Sequence, residues 1–90
     1  MVSIILFTTR RSHPLTEELT RHGMAVHEAL EVSEVFALAR QHREAYIVIT
    51  HEVDGERARA IQRSYPTITL KPDATAQDVI SGGNGKIPIQ

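Results

Sequence analysis

Tyr46-Ile47-Val48-Ile49-Thr50 decides the fold class. Its residues are all aromatic or β-branched, and nothing polar interrupts them before the threonine. Such a run reads as a strand buried on both faces, because a strand wetted on one side would alternate. A strand covered twice needs helices above and below it, and the flanking segments supply them. Upstream, Val35, Leu38 and Ala39, with Phe36 beside them, recur at helical spacing. Ser33 is placed to cap that helix, and Arg40 to Arg43 close it with cations that suit a helix C-terminus. Downstream, Asp54-Gly55 opens a helix with Ala58, Ile61 and Tyr65 inward and Arg57, Arg59 and Arg63 outward, and Pro66 ends it.

Ile4 to Thr8 repeats the doubly buried pattern near the N-terminus. Ser12-His13-Pro14 then starts a helix with proline where its missing N–H costs nothing. Leu15 and Leu19 form its thin buried stripe, Arg21 and His22 end it, and Gly23 follows as a C-terminal cap. Met24 to Ala29 is a weaker, amphipathic strand, and Thr67 to Leu70 alternates as a fourth. Thr75-Ala76-Gln77-Asp78 has capping-box spacing, with Asp78 in place of the usual Glu, so a short helix runs to Ser81. Gly82-Gly83-Asn84-Gly85 reads as a turn, and Lys86 to Gln90 as at most a short edge strand.

Strands alternating with helices imply parallel strands joined by right-handed crossovers. The expected fold is a single α/β domain over residues 1–90, with a doubly wound, flavodoxin-like parallel sheet of order 2-1-3-4, or 2-1-3-4-5 if the last segment pairs. In such sheets ligands sit beyond the carboxyl ends of the first and third strands. Here those ends are Thr8-Thr9-Arg10 and Thr50-His51-Glu52.

The composition narrows the function. Of 90 residues, 41% are hydrophobic and 23% charged, the balance of an ordinary globular domain. A net charge of −1 gives no electrostatic footprint for nucleic acid or anionic lipid. There are no cysteines, which excludes disulfides, thiolate nucleophiles and cysteine-ligated metals. The apolar run at the N-terminus is too short for a membrane span and lacks the basic start of a signal peptide. A cytoplasmic protein is the expectation.

Gly23 to Ala29 followed by Ser33 to Ala39 resembles the second strand and second helix of response-regulator receiver domains. Asp54-Gly55 matches the Asp-Gly that opens that family's third helix, and Tyr65 to Leu70 is similar to its fourth strand. The resemblance, pattern by pattern, spans nearly the whole chain. It implies a two-component signalling module in which an aspartate ends the third strand and two acids after the first strand hold Mg²⁺. A Thr or Ser ends the fourth strand and a Lys the fifth, and both contact the phosphoryl group. Aligned by strand ends, this chain has Thr8 and Thr9 at the metal acids, Thr50 at the phosphoacceptor and Lys71 at the switch hydroxyl, with Ile89 at the lysine position. Hydroxyls cannot replace three carboxylates in that chemistry. In a second register, Leu70-Lys71-Pro72 matches the Lys-Pro that ends strand five, with one βα unit deleted. The acids are absent in both. The family's fifth helix after strand five has no counterpart in the first register, so the surface that usually mediates receiver dimerisation is altered.

The resemblance therefore implies a degenerate pseudo-receiver without catalysis or cofactor, which binds a protein partner or itself as a homodimer. The alternative is a flavodoxin-like domain that binds a small molecule or anion through Lys71, Thr50 and the strand-end threonines. His51 and Glu52 are further possible ligand contacts, with Asp54 and His13 nearby, and Lys71 could pair with Glu52 or Asp54. His51-Glu52-x-Asp54 has no established metal-ligand spacing. His22, His27 and His42 fall at helix ends or on an exposed strand face, and the arginine stripe reads as a solvated helix face. No glycine-rich phosphate loop follows the first strand.

Overall fold

A computed structural model describes residues 2–81. The elements follow in the order β1 (Ser3–Phe7), α1 (Pro14–Arg21), β2 (Ala25–Ala29), α2 (Val32–Gln41), β3 (Tyr46–Ile49), α3 (Gly55–Gln62), β4 (Thr67–Thr69) and α4 (Ala76–Ser81). The four strands form one parallel sheet in the order β2-β1-β3-β4, an α/β arrangement consistent with a flavodoxin-like fold. The expected turn at Gly82–Gly85 and edge strand at Lys86–Gln90 lie outside the described residues. Among the described residues no helix is long and apolar enough to cross a membrane.

The two central strands owe their composition to this arrangement. On one face of the sheet Ile4, Leu6 and Val48 pack beneath α1 and α4, against Leu15, Leu19 and Val79. On the other, Ile5, Phe7, Ile47 and Ile49 pack beneath α2 and α3, against Val35, Ala39, Ala58 and Ile61. Side chains alternate along a strand, so a strand with helices on both sides must be apolar at every position. Tyr65, expected inward, is half-buried and tilts against Phe36 with ring centroids 5.8 Å apart.

The ends of the helices match their local signals, with two exceptions, of which one is at α3: it ends at Gln62, four residues before Pro66, and leaves Tyr65 beyond the helix. Pro14 opens α1 behind His13, Gly23 takes the left-handed conformation beyond its end (φ +85°), and the Asp54 side chain caps α3 by accepting from the Arg57 amide. At α4, Asp78 accepts from the Thr75 amide at 2.7 Å, as the capping-box spacing implies. The expectation that Ser33 caps α2 is corrected. The helix begins at Val32 behind Glu31, so Ser33 lies inside its first turn. Glu34 reaches back to accept from the Leu30 and Glu31 amides at 3.0 and 3.2 Å, and its longer side chain satisfies two open donors where a serine reaches one.

Placement of the helices follows from the direction of each crossover, save for the last. The step from β1 to β2 runs one way across the sheet and puts α1 on one face. The steps to β3 and β4 run the other way, which puts α2 and α3 on the opposite face. A helix leading on to another parallel strand beyond β4 belongs with α2 and α3. Instead α4 lies with α1, against which it packs directly.

Candidate functional site

The carboxyl ends of β1 and β3 lie side by side. Phe7 stands in register with Ile49, and the ladder runs one step further, where the Thr50 amide donates to the Phe7 carbonyl at 3.0 Å. Alternation then turns Thr8 and Thr50 to the same face, that of α1 and α4. Thr8 is 0% and Thr50 2% exposed, and neither hydroxyl has a hydrogen-bond partner among the described residues. Thr50, His13, His51, Leu70 and Lys71 line a cleft of about 40 Å³, room for a water-sized group and nothing larger. Thr50, His51 and Lys71 thus meet at one cleft, while Thr8 is buried on the same face and is not among the residues lining it. Thr9 is exposed and outside the cleft.

A buried hydroxyl without a partner is costly, since it gives up its water for nothing. Replacing Thr50 with valine keeps the shape and removes that cost. The variant is expected to be as stable as the parent or more so, by up to about 1 kcal/mol, in urea-induced unfolding. A loss of stability instead would mean that the hydroxyl has a bonded partner in solution.

Glu52 faces away from Lys71. Its carboxylate lies 3.8 Å from Arg10 Nε and 3.3 Å from His13 Nε2, the latter outside hydrogen-bond geometry. Asp54 is likewise engaged elsewhere, paired with Arg57, whose bonds hold the Asp54 carboxyl below the usual carboxylate range. The pairing of Lys71 with Glu52 or Asp54 that the sequence allowed is therefore not formed. Arg57 is also withdrawn from the arginine stripe: it is half-buried, with its guanidinium carbon 6.0 Å from the Phe7 ring centroid. No group of three potential metal-ligating side chains gathers among the described residues.

The loop that presents Arg10 and His13 is fixed from a neighbouring strand, by a residue that sequence reasoning missed. Glu28, on β2, accepts from the Ser12 and His13 amides, both at 2.9 Å, and from the Thr16 hydroxyl at 2.5 Å. Ser12 adopts a left-handed backbone (φ 57°), sparsely populated for a non-glycine residue, and the carboxylate holds its amide there. Burial alone would raise the Glu28 pKa; the bonds from Thr16, Ser12 and His13 outweigh it and hold the carboxyl below its ordinary value. His13 Nδ1 accepts from the Leu15 amide at 3.1 Å, so the proton of the neutral ring belongs on Nε2, toward Glu52. No local pattern marks Glu28, because its partners lie 12 to 16 residues away.

His27 corrects another expectation. It is half-buried, not on an exposed face, and stacks on His42 at the end of α2 with centroids 4.1 Å apart and planes inclined by 18°. Burial first, and then the charge of His42, push its pKa below the ordinary 6.5. The unfolded chain therefore takes up this proton before the folded one, so the contribution is intact above pH 6.5 and lost as pH falls through the lower folded value. Urea midpoints measured from pH 7.5 to 5.5 should fall more steeply for the parent than for His27→Gln. Equal slopes would refute this assignment.

Compared with protein-family models, with curated proteins and with solved structures, the chain matches none. What fold and site together define, among the described residues, is a parallel α/β domain of four strands whose carboxyl edge carries two buried threonines, one of them, Thr50, at a cleft of water size.

Proposed function

We propose that the chain is a phosphorylation-independent, receiver-like module of the cytoplasm, which acts by binding another protein or a second copy of itself and does not catalyse. The observation that carries this reading is the residue set at the carboxyl edge. Where phosphoryl transfer needs an acceptor carboxylate and a pair of metal-binding acids, Thr50, Thr8 and Thr9 stand. The two buried hydroxyls lie on one face, that of Thr50 at a cleft of about 40 Å³, and Glu52 is engaged with Arg10 and His13. Hydroxyls neither accept a phosphoryl group in this manner nor bind Mg²⁺ as carboxylates do.

Placement of α4 beside α1 supports the second register of the receiver resemblance. In that register α4 corresponds to the family's helix five, and a helix that leads to no further parallel strand is free of the crossover rule. In that register Lys71-Pro72 retains the family's strand-five Lys-Pro, and the acids are still absent. A second reading, an anion site, has one observation in its favour: Lys71 at the rim of a cleft holding the unpartnered Thr50 hydroxyl.

Backbone amide NMR with Mg²⁺ alone, with Mg²⁺ plus beryllofluoride, and with inorganic phosphate tests both. The binding-module reading expects no saturable shift at Thr8, Thr9, Thr50 or Lys71. Saturation by beryllofluoride only with Mg²⁺ would overturn it, and saturation by phosphate alone would favour the anion site.

A further inference from the structure

We propose that the outer edge of β4 is the self-association surface of this chain, where a second copy pairs strand to strand about a two-fold axis through Ile68. This deepens the binding-module reading by naming surface and partner, and rests on that reading for its function.

The Leu70 amide donates inward to the Ile49 carbonyl at 2.9 Å, and Ile68 stands in register with Val48. Because alternate residues of a strand bond to opposite sides, the amides and carbonyls of Thr67 and Thr69 point away from β3. Among the described residues no strand pairs with them.

A second copy fits in one register. The strand is three residues long, which confines regular pairing to Thr67–Thr69. Antiparallel pairing sets Thr67 opposite Thr69 of the other copy, twice over, for four backbone hydrogen bonds, with the two Ile68 side chains adjacent on one face. Two grooves flank Ile68. One, of about 440 Å³, carries Lys71, Asp73 and Asp78 toward the carboxyl end of β4; the other, of about 360 Å³, carries Arg43 and Glu44 toward the amino end. The two-fold brings each carboxyl-end groove against the amino-end groove of the other copy. Arg43 then faces Asp73 and Asp78, and Glu44 faces Lys71. The surface is complementary to itself in sign.

Sedimentation equilibrium of the full chain up to about 1 mM, where even a weak interface is populated, should show a monomer–dimer equilibrium. Thr69→Pro removes an outward amide and leaves the bonds to β3 untouched, and should raise the dissociation constant about tenfold or more. Arg43→Glu should weaken the dimer several-fold, and adding Asp73→Lys should restore it, which a merely misfolded variant would not do. Amide exchange at Thr67 and Thr69 should slow with rising concentration. A monomer at every concentration, or a dimer indifferent to these variants, overturns the proposal. So does protection of Thr67 and Thr69 that ignores dilution, which would assign the edge to residues 86–90. None of these outcomes depends on Thr50, so the proposal can fail while the beryllofluoride result stands, and the reverse.

Discussion

Replacing Glu28 with alanine is expected to destabilise the fold by about 2–3 kcal/mol, well beyond what a half-buried surface glutamate ordinarily contributes. The carboxylate accepts three hydrogen bonds, two of them from the Ser12 and His13 amides. Bonds to an ionised acceptor are worth roughly 1.5–3 kcal/mol each, but they are not additive, and water reaches part of the site. Release of Ser12 from its left-handed conformation returns a little of the loss. For a domain of this size the melting temperature should drop by about 8–24 °C. Glu28→Gln keeps an acceptor oxygen and should lose roughly half as much. The acid limb of stability provides a second check. Since the Glu28 carboxyl titrates below its ordinary 4.5, its contribution is complete above that pH and is lost as pH falls through the lower folded value. The alanine variant should therefore show a shallower decline below pH 4.5. A melting temperature within about 2 °C of the parent would show that the β1–α1 loop does not depend on Glu28.

Phe7→Ala should cost more, about 3–5 kcal/mol. The ring is 0% exposed, at the centre of the face covered by α2 and α3. Around it the side chains of Ile5, Val35, Ile49 and Ile61 belong to different elements and cannot all collapse into the space it leaves. The variant also removes the ring beneath the Arg57 guanidinium, a smaller loss at 6.0 Å. Total stability for a chain of this length is of order 5–13 kcal/mol, so the variant should sit at the edge of folding. Phe36→Ala is the control: this ring is half-buried and only flanks the same cluster, so its loss should be clearly smaller. Chemical denaturation of the two variants separates them, and equal losses would show that Phe7 is not the centre of that layer.

The fold was legible where physics is local. Tyr46 to Ile49 and Ile4 to Phe7 announce themselves because burial on both faces leaves no polar position. Pro14, Gly23 and Asp54 mark helix ends through backbone constraints that act within a turn. Legibility failed where a side chain answers to a distant partner. Glu28 and His27 adjoin on one strand and look alike as solvated polar positions, yet one anchors a loop and the other stacks on a ring at the end of α2. Ser33 misled because a serine near a helix start is a common cap, and Glu34 beside it serves the open donors instead. At the candidate site, strand ends could be counted from the sequence, which is why Thr8, Thr50 and Lys71 were found. The partners of Glu52 and Asp54 could not, since loop direction decides them.

The order of strands bears also on how the chain is made. β1 is synthesised first but lies inside the sheet, between β2 and β3. Once residues 3–29 have emerged from a ribosome, β1 and β2 can pair and α1 can cover Ile4 and Leu6. Ile5, Phe7 and Ala29 must then wait for α2, and the inner edge of β1 for β3. For that interval the nascent protein offers a greasy face and an open strand, the two features that draw chaperones and promote clumping. Slow translation through residues 32–49 would lengthen the exposure, and the ten-residue α2 is the first element able to end half of it.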